Sequence, residues 1–553
     1  RSTLSSSSAA SDVYKRQIDS SEASKLPGVK YIFTAEDMPE PMPLYGPFYD
    51  DQPIIAIGET KFHGDPVAAV VAETEDIAEK AAKLVKVDFE ELDGVYTVEQ
   101  ALAPDAPLVQ NPSIRVRKDL AQTNIFEDWE YGWGDPENAP ADLVIDDVFN
   151  FPMTTHFAIE PHVFIAAPDQ DGVLIRSTVQ HPFLLQRVIS NTLNIPVSKI
   201  RVIPTELGGA FGGKGYPKFE PLVAFIAMKL QQPVRLRFSL EETFLVGRRT
   251  SSSIRVTAGF MKDGRLSFMK VNADFLMGAF SNASPRVVAK AANAGCGIYN
   301  PPNASIYARA ILSHTIPGTA FRGFGAPQFM WALDSIMDMA AKALDMDRLA
   351  LRLKNIPNRG EVFLHGEKAC DGDWKEGLSK AAEAIGWGSP LPENRGRGLG
   401  IGVKTPAPAT VSQSMVRMHH DGSLTILVGT TEMGQGARTV MAQLVSDAMD
   451  IPMNRINIVN GDTGVVPFDS VTASSRSTVF MGNAVQRACD DLKKKLVDLT
   501  VKYFEVNPET IEFIGGQVVY HGGALEYKEV LAAHYGGFQG EVIGLGLYKE
   551  PLL

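Results

Sequence analysis

IRVIPTELGGAFGGKGYPKFEPLVAFIAMKL, residues Ile200–Leu230, decides the fold class. Ile200–Pro204 is short and β-branched and reads as a strand. Glu220–Leu230 reads as an apolar helix, and Val234–Phe238 returns to strand. Between strand and helix lies GGAFGGK, Gly208–Lys214. Glycine lets a backbone approach a ligand closely, and such a loop exposes N–H groups to an anion.

The loop must first be tested against the common phosphate binders. Gly208, Gly213 and Lys214 match GxxxxGK, but Gly215 follows where a P-loop needs Ser or Thr for magnesium. Gly215 and Pro217 also delay the helix, which argues against an ATP site. Gly323–Phe324–Gly325 is followed by Ala-Pro-Gln, so the third glycine of a Rossmann turn is missing. Gly396, Gly398 and Gly400 miss the spacing as well.

Working outward, three further segments share the character of the first. They are TAFRGFGAPQ (Thr319–Gln328), TTEMGQGA (Thr430–Ala437) and DTGVVPFDSVTASSRST (Asp462–Thr478). Any one alone can be a turned corner: Arg322 a buried ion-pair residue, Gln435 a helix cap, Ser474–Ser475 a simple turn. Four in order point to a heteroatom-rich, phosphate-bearing ligand.

Around them the chain divides. Residues 1–17 are Ser-rich and unpatterned, and read as a disordered or non-native leader without a signal peptide's apolar core. Residues 18–100 read as a small α/β domain, with strand, helix and strand across Val67–Leu92. Residues 101–141 read as a Pro/Asp/Asn-rich linker. A second block, 142–390, opens with strands including Val173–Thr178 and closes with the helical stretch Pro327–Leu344. Trp331, Ile336, Met339 and Leu344 of that helix are expected in the core. A third block, 391–553, carries strand Leu424–Val428, helix Ala437–Met449, strand Arg455–Val459 and helix Val479–Glu505. The whole reads as α+β.

Composition narrows the function. Across 553 residues the net charge is −12, which argues against a nucleic-acid surface. No apolar run approaches a membrane span. Three cysteines without a CxxC argue against an iron–sulfur cluster or structural zinc, and fit a reducing, cytoplasmic compartment. Redox chemistry here needs a non-protein cofactor.

The four segments in this order resemble the large subunit of the xanthine dehydrogenase/aldehyde oxidase family, the molybdenum hydroxylases. GGxFGGK, AFRGFGAPQ, MGQG and TxxSR…GNA match in family order, and Gly64–Leu92 is similar to the family's hammerhead domain. The resemblance runs over Ile18–Leu553. It implies a hammerhead domain followed by two molybdopterin-binding domains, the second incomplete. It also implies a molybdenum–molybdopterin cofactor, in bacteria often the cytosine dinucleotide, with the metal held by the pterin rather than by protein ligands.

Carried over by motif, Phe211 and Gly212 sit beside the molybdenum, and Gln180 of TVQHP hydrogen-bonds an oxo ligand. Phe321, Arg322 and Gly323 line the pterin. Met433, Gly434 and Gln435 contact the pterin or its phosphate, and Ser474, Ser475 and Arg476 continue the phosphate or nucleotide cradle. Gln180 and Arg322 are the catalytic candidates. The implied reaction is hydroxylation with water as oxygen source. Electrons pass to a [2Fe–2S] subunit and an FAD subunit, in an expected dimer of heterotrimers.

The family's general base is a glutamate in a C-terminal GxGE segment that the sequence to Leu553 does not contain. The chain is therefore expected to be truncated at both ends and inactive alone, and a non-catalytic cofactor-binding fragment is the alternative. Glu160, Glu206, Glu220, Glu432, Asp462 and Asp469 read as structural. Purine-oxidising members often carry Glu where Gly215 stands, and carbon monoxide dehydrogenases carry a cysteine loop missing here. An aldehyde or an N-heteroaromatic is the expected substrate, with Phe183, Phe211 and Phe324 as candidate pocket walls.

Overall fold

The computed structural model describes residues 2–3, 13–362, 369–404 and 410–550. Most of residues 1–17 lie outside this range, but Val13–Asp19 is a strand that pairs antiparallel with Lys86–Glu91. The N-terminal domain thus begins before residue 18, a correction to the reading of 1–17 as leader. The strand is polar and owes its structure to pairing, not to any local apolar pattern. A second small sheet sets Ala68–Ala72 beside Val29–Phe33. Helix Glu75–Leu84, capped by the Thr74 side chain accepting from Ile77 N–H, buries Ala78, Ala81 and Ala82.

The stretch read as linker is corrected too. Ile125–Trp133 is an edge strand, paired antiparallel with Asn303–Leu312 in a five-stranded sheet. Helix Ala326–Ala343 packs on that sheet through Phe329, Ala332, Leu333, Ile336 and Met337. Of the stripe expected in the core, Ile336 is buried, whereas Trp331 is 44% and Met339 36% exposed. Trp331 instead lies edge-on to Phe149 and Phe151 at the sheet's rim.

Two further four-stranded sheets position the glycine turns, and they share one topology. In the first, the order is Ile200–Pro204, Gly172–Ser177, Val163–Asp169, Val234–Arg237. In the second it is Ile456–Asn460, Leu424–Val428, Val411–Met418, Val542–Lys549. Each unit runs hairpin, helix, parallel strand, long turn, helix and return strand, with a small three-stranded sheet and helix Tyr527–Tyr535 inserted before the return strand of the second. The two parallel strands in each unit end at the same edge, and ligands of α/β sheets gather beyond the carboxyl ends of parallel strands.

The units meet turn to turn. Arg201 pairs with Asp462 at 2.7 Å, and Val202 and Thr463 exchange hydrogen bonds: Val202 N–H to Thr463 Oγ1 and Thr463 N–H to the Val202 carbonyl. Leu207 N–H donates to the Glu432 carbonyl at 3.3 Å. No helix among the described residues is long and apolar enough to cross a membrane.

Within the second unit, strand Val542–Lys549 lies against helix Gly482–Phe504 only because Gly544 and Gly546 lack side chains. A Cβ at Gly546 would stand 1.9 Å from the Ala484 carbonyl oxygen. Gly546→Ala is expected to cost this unit about 1–3 kcal/mol, read as a lower urea midpoint at unchanged slope.

Candidate functional site

The turns at the joined edges enclose a cleft of about 2350 Å³. Single small-molecule sites span roughly 300–1,000 Å³, so this cleft has room for a large cofactor and a substrate together. Gln180, Phe211, Gly212, Phe321, Arg322, Gly323, Met433, Gly434, Gln435, Ser474, Ser475 and Arg476 all line it.

Gln180 is 4% exposed and ties three turns together. Its Oε1 accepts from Gly212 N–H at 3.0 Å, and its Nε2 donates to the Thr472 carbonyl at 3.2 Å. Its own N–H donates to the Lys214 carbonyl, and its carbonyl accepts from Thr431 Oγ1. The carboxamide therefore reaches a partner 292 positions along the chain and joins the two units. Oε1 and one Nε2 hydrogen are thus committed to the turns, while the second Nε2 hydrogen makes no bond to the described residues.

The first glycine turn rests on the arginine turn. Arg322 N–H donates to the Phe211 carbonyl at 2.8 Å. Gly212 has φ 103°, and a Cβ there would stand 2.5 Å from the Ala320 carbonyl oxygen. Only glycine fits that close approach. The Phe321 ring is clamped between the His156 ring, stacked at 4.2 Å, and the Arg249 guanidinium at 4.1 Å. His156 also bonds the Ala320 carbonyl at 2.7 Å, and burial pushes its pKa down to about 4. Phe321 thus anchors the turn. Arg322 is exposed and makes no ion pair among the described residues, so its guanidinium is free for a ligand.

The MGQG turn is largely self-satisfied. Glu432 accepts from the N–H groups of Gly434, Gly436 and Arg438 at the start of helix Ala437–Met449. Partial burial works against it, but these backbone donors hold the Glu432 carboxyl below its ordinary range. Gln435 receives Met433 N–H at 2.7 Å and donates to the Thr431 carbonyl at 2.8 Å. These residues line the cleft, but their donors and carboxamide chiefly shape the turn.

The serine turn carries two consecutive left-handed residues, Ser474 at φ 58° and Ser475 at φ 55°. Such conformations cost roughly 1–3 kcal/mol each in non-glycine residues. Arg476 holds the turn in place. Nε donates to Thr410 Oγ1, Nη1 to Asp469 and the Val471 carbonyl, Nη2 to Ser412 Oγ and the Val411 carbonyl. All five guanidinium donors are spent, so the phosphate contact expected of Arg476 is replaced by a scaffold role. Arg476→Met leaves Asp469 buried and unpaired, and is expected to cost about 3–5 kcal/mol in chemical denaturation.

The N–H groups of Gly209, Ala210, Phe211, Gly323, Ser474 and Ser475 make no hydrogen bond to the described residues. The six carboxylates read as structural all have partners. Glu160 meets Lys214, Glu206 meets Arg438, Glu220 meets Ser177, and Glu432 meets its turn; Asp462 meets Arg201 and Asp469 meets Arg476. None of them lines the cleft.

Sequence reading missed several residues that do: Phe48 and Asp50 from the N-terminal domain, Arg187, Arg286, Lys290 and Lys404. Asp50 is the one carboxylate lining the cleft, beside five cationic side chains outside any ion pair among the described residues: Arg187, Arg286, Lys290, Arg322 and Lys404. A cationic cleft in a chain of net charge −12 marks an anionic ligand. The signal for these residues is absent from local sequence because each comes from a separate element. His181 also lines the floor beside Gly215, 3% exposed, its pKa pushed down to about 4 by burial.

These histidines give the fold a pH dependence with a definite sign. Above pH 6.5, folded and unfolded imidazoles are both neutral. Below it the unfolded rings protonate, while His156 and His181 stay neutral down to about 4. Stability is therefore expected to fall as pH drops through that window, by no more than about 1.4 kcal/mol per pH unit for each ring. His156→Phe is expected to flatten the slope of the unfolding midpoint between those limits.

Comparison with known proteins bears on the same segments. The aldehyde oxidase and xanthine dehydrogenase a/b hammerhead domain matches residues 2–93, and molybdopterin cofactor-binding domains match 117–356 and 371–550. The xanthine dehydrogenase molybdenum-binding subunit of Escherichia coli O157:H7 is 30% identical over 535 residues, covering 92% of this chain and 70% of that relative. The aldehyde oxidoreductase of Desulfovibrio gigas superposes with a TM-score of 0.83 at 26% identity, over 97% of this chain and 58% of that one. Quinoline 2-oxidoreductase of Pseudomonas putida 86 shares the fold, with a TM-score of 0.86 at 23% identity over 98% and 74% of the two chains. With its hammerhead domain, its paired cofactor-binding domains and its turns gathered on one cleft, the chain belongs to the xanthine dehydrogenase/aldehyde oxidase family of molybdenum hydroxylases, as a molybdenum-binding large subunit.

Proposed function

We propose that the chain is the large subunit of a molybdenum-dependent hydroxylase that oxidises an aldehyde or an N-heteroaromatic substrate. In this reading water is the oxygen source, and electrons pass to iron–sulfur and flavin partner subunits. The proposal includes a cytoplasmic location and a dimer of heterotrimers. The observation that carries it is the convergence of uncommitted backbone donors from separate turns on one cationic cleft.

The residues present fit a molybdopterin, with or without its cytosine nucleotide. Gly212 is packed so tightly on the arginine turn that a Cβ would collide with backbone, which keeps the cleft floor flat. The free N–H groups of Gly209, Ala210, Phe211 and Gly323, with the Arg322 guanidinium, would hold its oxygen-rich parts. Among the described residues no cluster of His, Cys, Asp and Glu could hold a metal ion, and a pterin brings its own sulfur ligands. When bound, such a group supplies a two-electron redox centre able to transfer oxygen.

The chain's own contribution is orientation and selection. Gln180 fixes the spacing between Gly212 and Thr472 across the units. Phe183 and Phe468 meet edge-on at 5.2 Å, and Phe48 and Tyr216 at 5.6 Å. These four line the cleft, as does Phe324, and give a planar substrate apolar walls. At the floor, the buried, neutral His181 ring packs beside Gly215, where a Cβ would stand 3.4 Å from its Cε1.

The test is cofactor content. The chain, produced in a host that makes molybdenum cofactor, is expected to carry molybdenum and pterin near one per chain. Gly212→Val is expected to lower both at least tenfold. A wild-type chain that purifies without either would contradict the proposal.

A further inference from the structure

Helix Ser284–Asn293 and the segment at Ile401–Lys404 come from different parts of the chain, yet both send a lysine to the cleft. Lys290 and Lys404 have no carboxylate within ion-pair distance among the described residues. The Lys404 ammonium hydrogen-bonds Ser474 Oγ and so is tied to the serine turn. Although the residue as a whole is exposed, crowding of the Lys404 ammonium by the cleft walls, and then the neighbouring Lys290 charge, hold its pKa below the ordinary lysine range. Two like charges gathered without a counter-ion are unfavourable unless an anion bridges them.

The turn beside them is built to the same end. Ser474 and Ser475 both hold left-handed backbones, and their N–H groups are uncommitted. Arg476 holds this shape but has no donor left for a ligand. An anion at this end of the cleft must therefore be met by the lysines and the serine backbone.

We propose that Lys290 and Lys404 form a phosphate clamp at the serine-turn end of the cleft, with the Ser474 and Ser475 N–H groups as the remaining donors. Two ammonium groups and two backbone donors match a phosphoryl or diphosphoryl group, whether it is the tail of the bound cofactor or a free anion. The inference rests on the cofactor reading of the cleft, and its test separates the two.

Inorganic pyrophosphate is titrated calorimetrically into the cofactor-free full chain at two salt concentrations. Wild type is compared with the variants K290Q/K404Q and K290R/K404R. Lys404 is exposed and Lys290 half-buried, so both variants are expected to melt with the wild type. Wild type and the arginine pair are expected to bind, and the glutamine pair to bind at least tenfold more weakly with a shallower salt dependence. Equal affinity for the glutamine pair, or no binding by wild type, overturns the clamp. In a second arm, chains from a cofactor-making host are extracted, and molybdenum, pterin and nucleotide are quantified. Less molybdenum and pterin per chain in the glutamine pair assigns the clamp to the cofactor's tail. Unchanged molybdenum and pterin per chain beside weakened pyrophosphate binding assigns it to a free anion. A wild type without molybdenum and pterin sinks the cofactor reading, while the titration still decides the clamp.

Discussion

The site hangs on one carboxamide. Gln180 accepts from Gly212 N–H with its oxygen and donates to the Thr472 carbonyl with its nitrogen. Those partners belong to the two four-stranded units, and the cleft exists in the seam between them. A net hydrogen bond contributes only about 0.5–1.5 kcal/mol, but an abandoned buried partner costs about 1–3 kcal/mol. Gln180 lies almost wholly out of water, so its loss would strand a donor on one unit and an acceptor on the other.

The shared topology explains why the seam is rich in donors. Each unit ends its parallel strands at the joined edge, and each follows both strands with a turn into a helix. Turns at such edges leave N–H groups without ladder partners. The structure spends some of these internally. Glu432 saturates the MGQG turn, and the Gln180 oxygen takes Gly212 N–H. The rest, at Gly209–Phe211, Gly323 and Ser474–Ser475, are left for a ligand. Arg322 and Arg476 divide in the same way: one guanidinium is free, and the other is wholly committed to holding backbone.

Much of this was legible in the sequence, for local reasons. Strand Leu424–Val428 and helices Glu220–Leu230 and Ala437–Met449 fall where periodicity and turn residues put them. The glycine turns declared themselves because close backbone approach needs glycine. What escaped the reading depends on partners far along the chain. Strand Ile125–Trp133 looked like linker because its pairing partner lies beyond residue 300. Val13–Asp19 is polar and becomes a strand only beside Lys86–Glu91. Arg476 looked like a phosphate ligand because nothing nearby in sequence shows Ser412 and Thr410 closing on it. Lys290 and Lys404 carry no motif, and they matter only because the fold brings them to one turn.

The most direct test is amide hydrogen exchange on the chain with and without bound molybdopterin. The account predicts that Gly209–Phe211, Gly323 and Ser474–Ser475 slow together on loading, because one ligand collects donors from three turns. Gly434 and Gly436, already bonded to Glu432, should change little. Protection confined to a single turn, or to the MGQG turn alone, would contradict it.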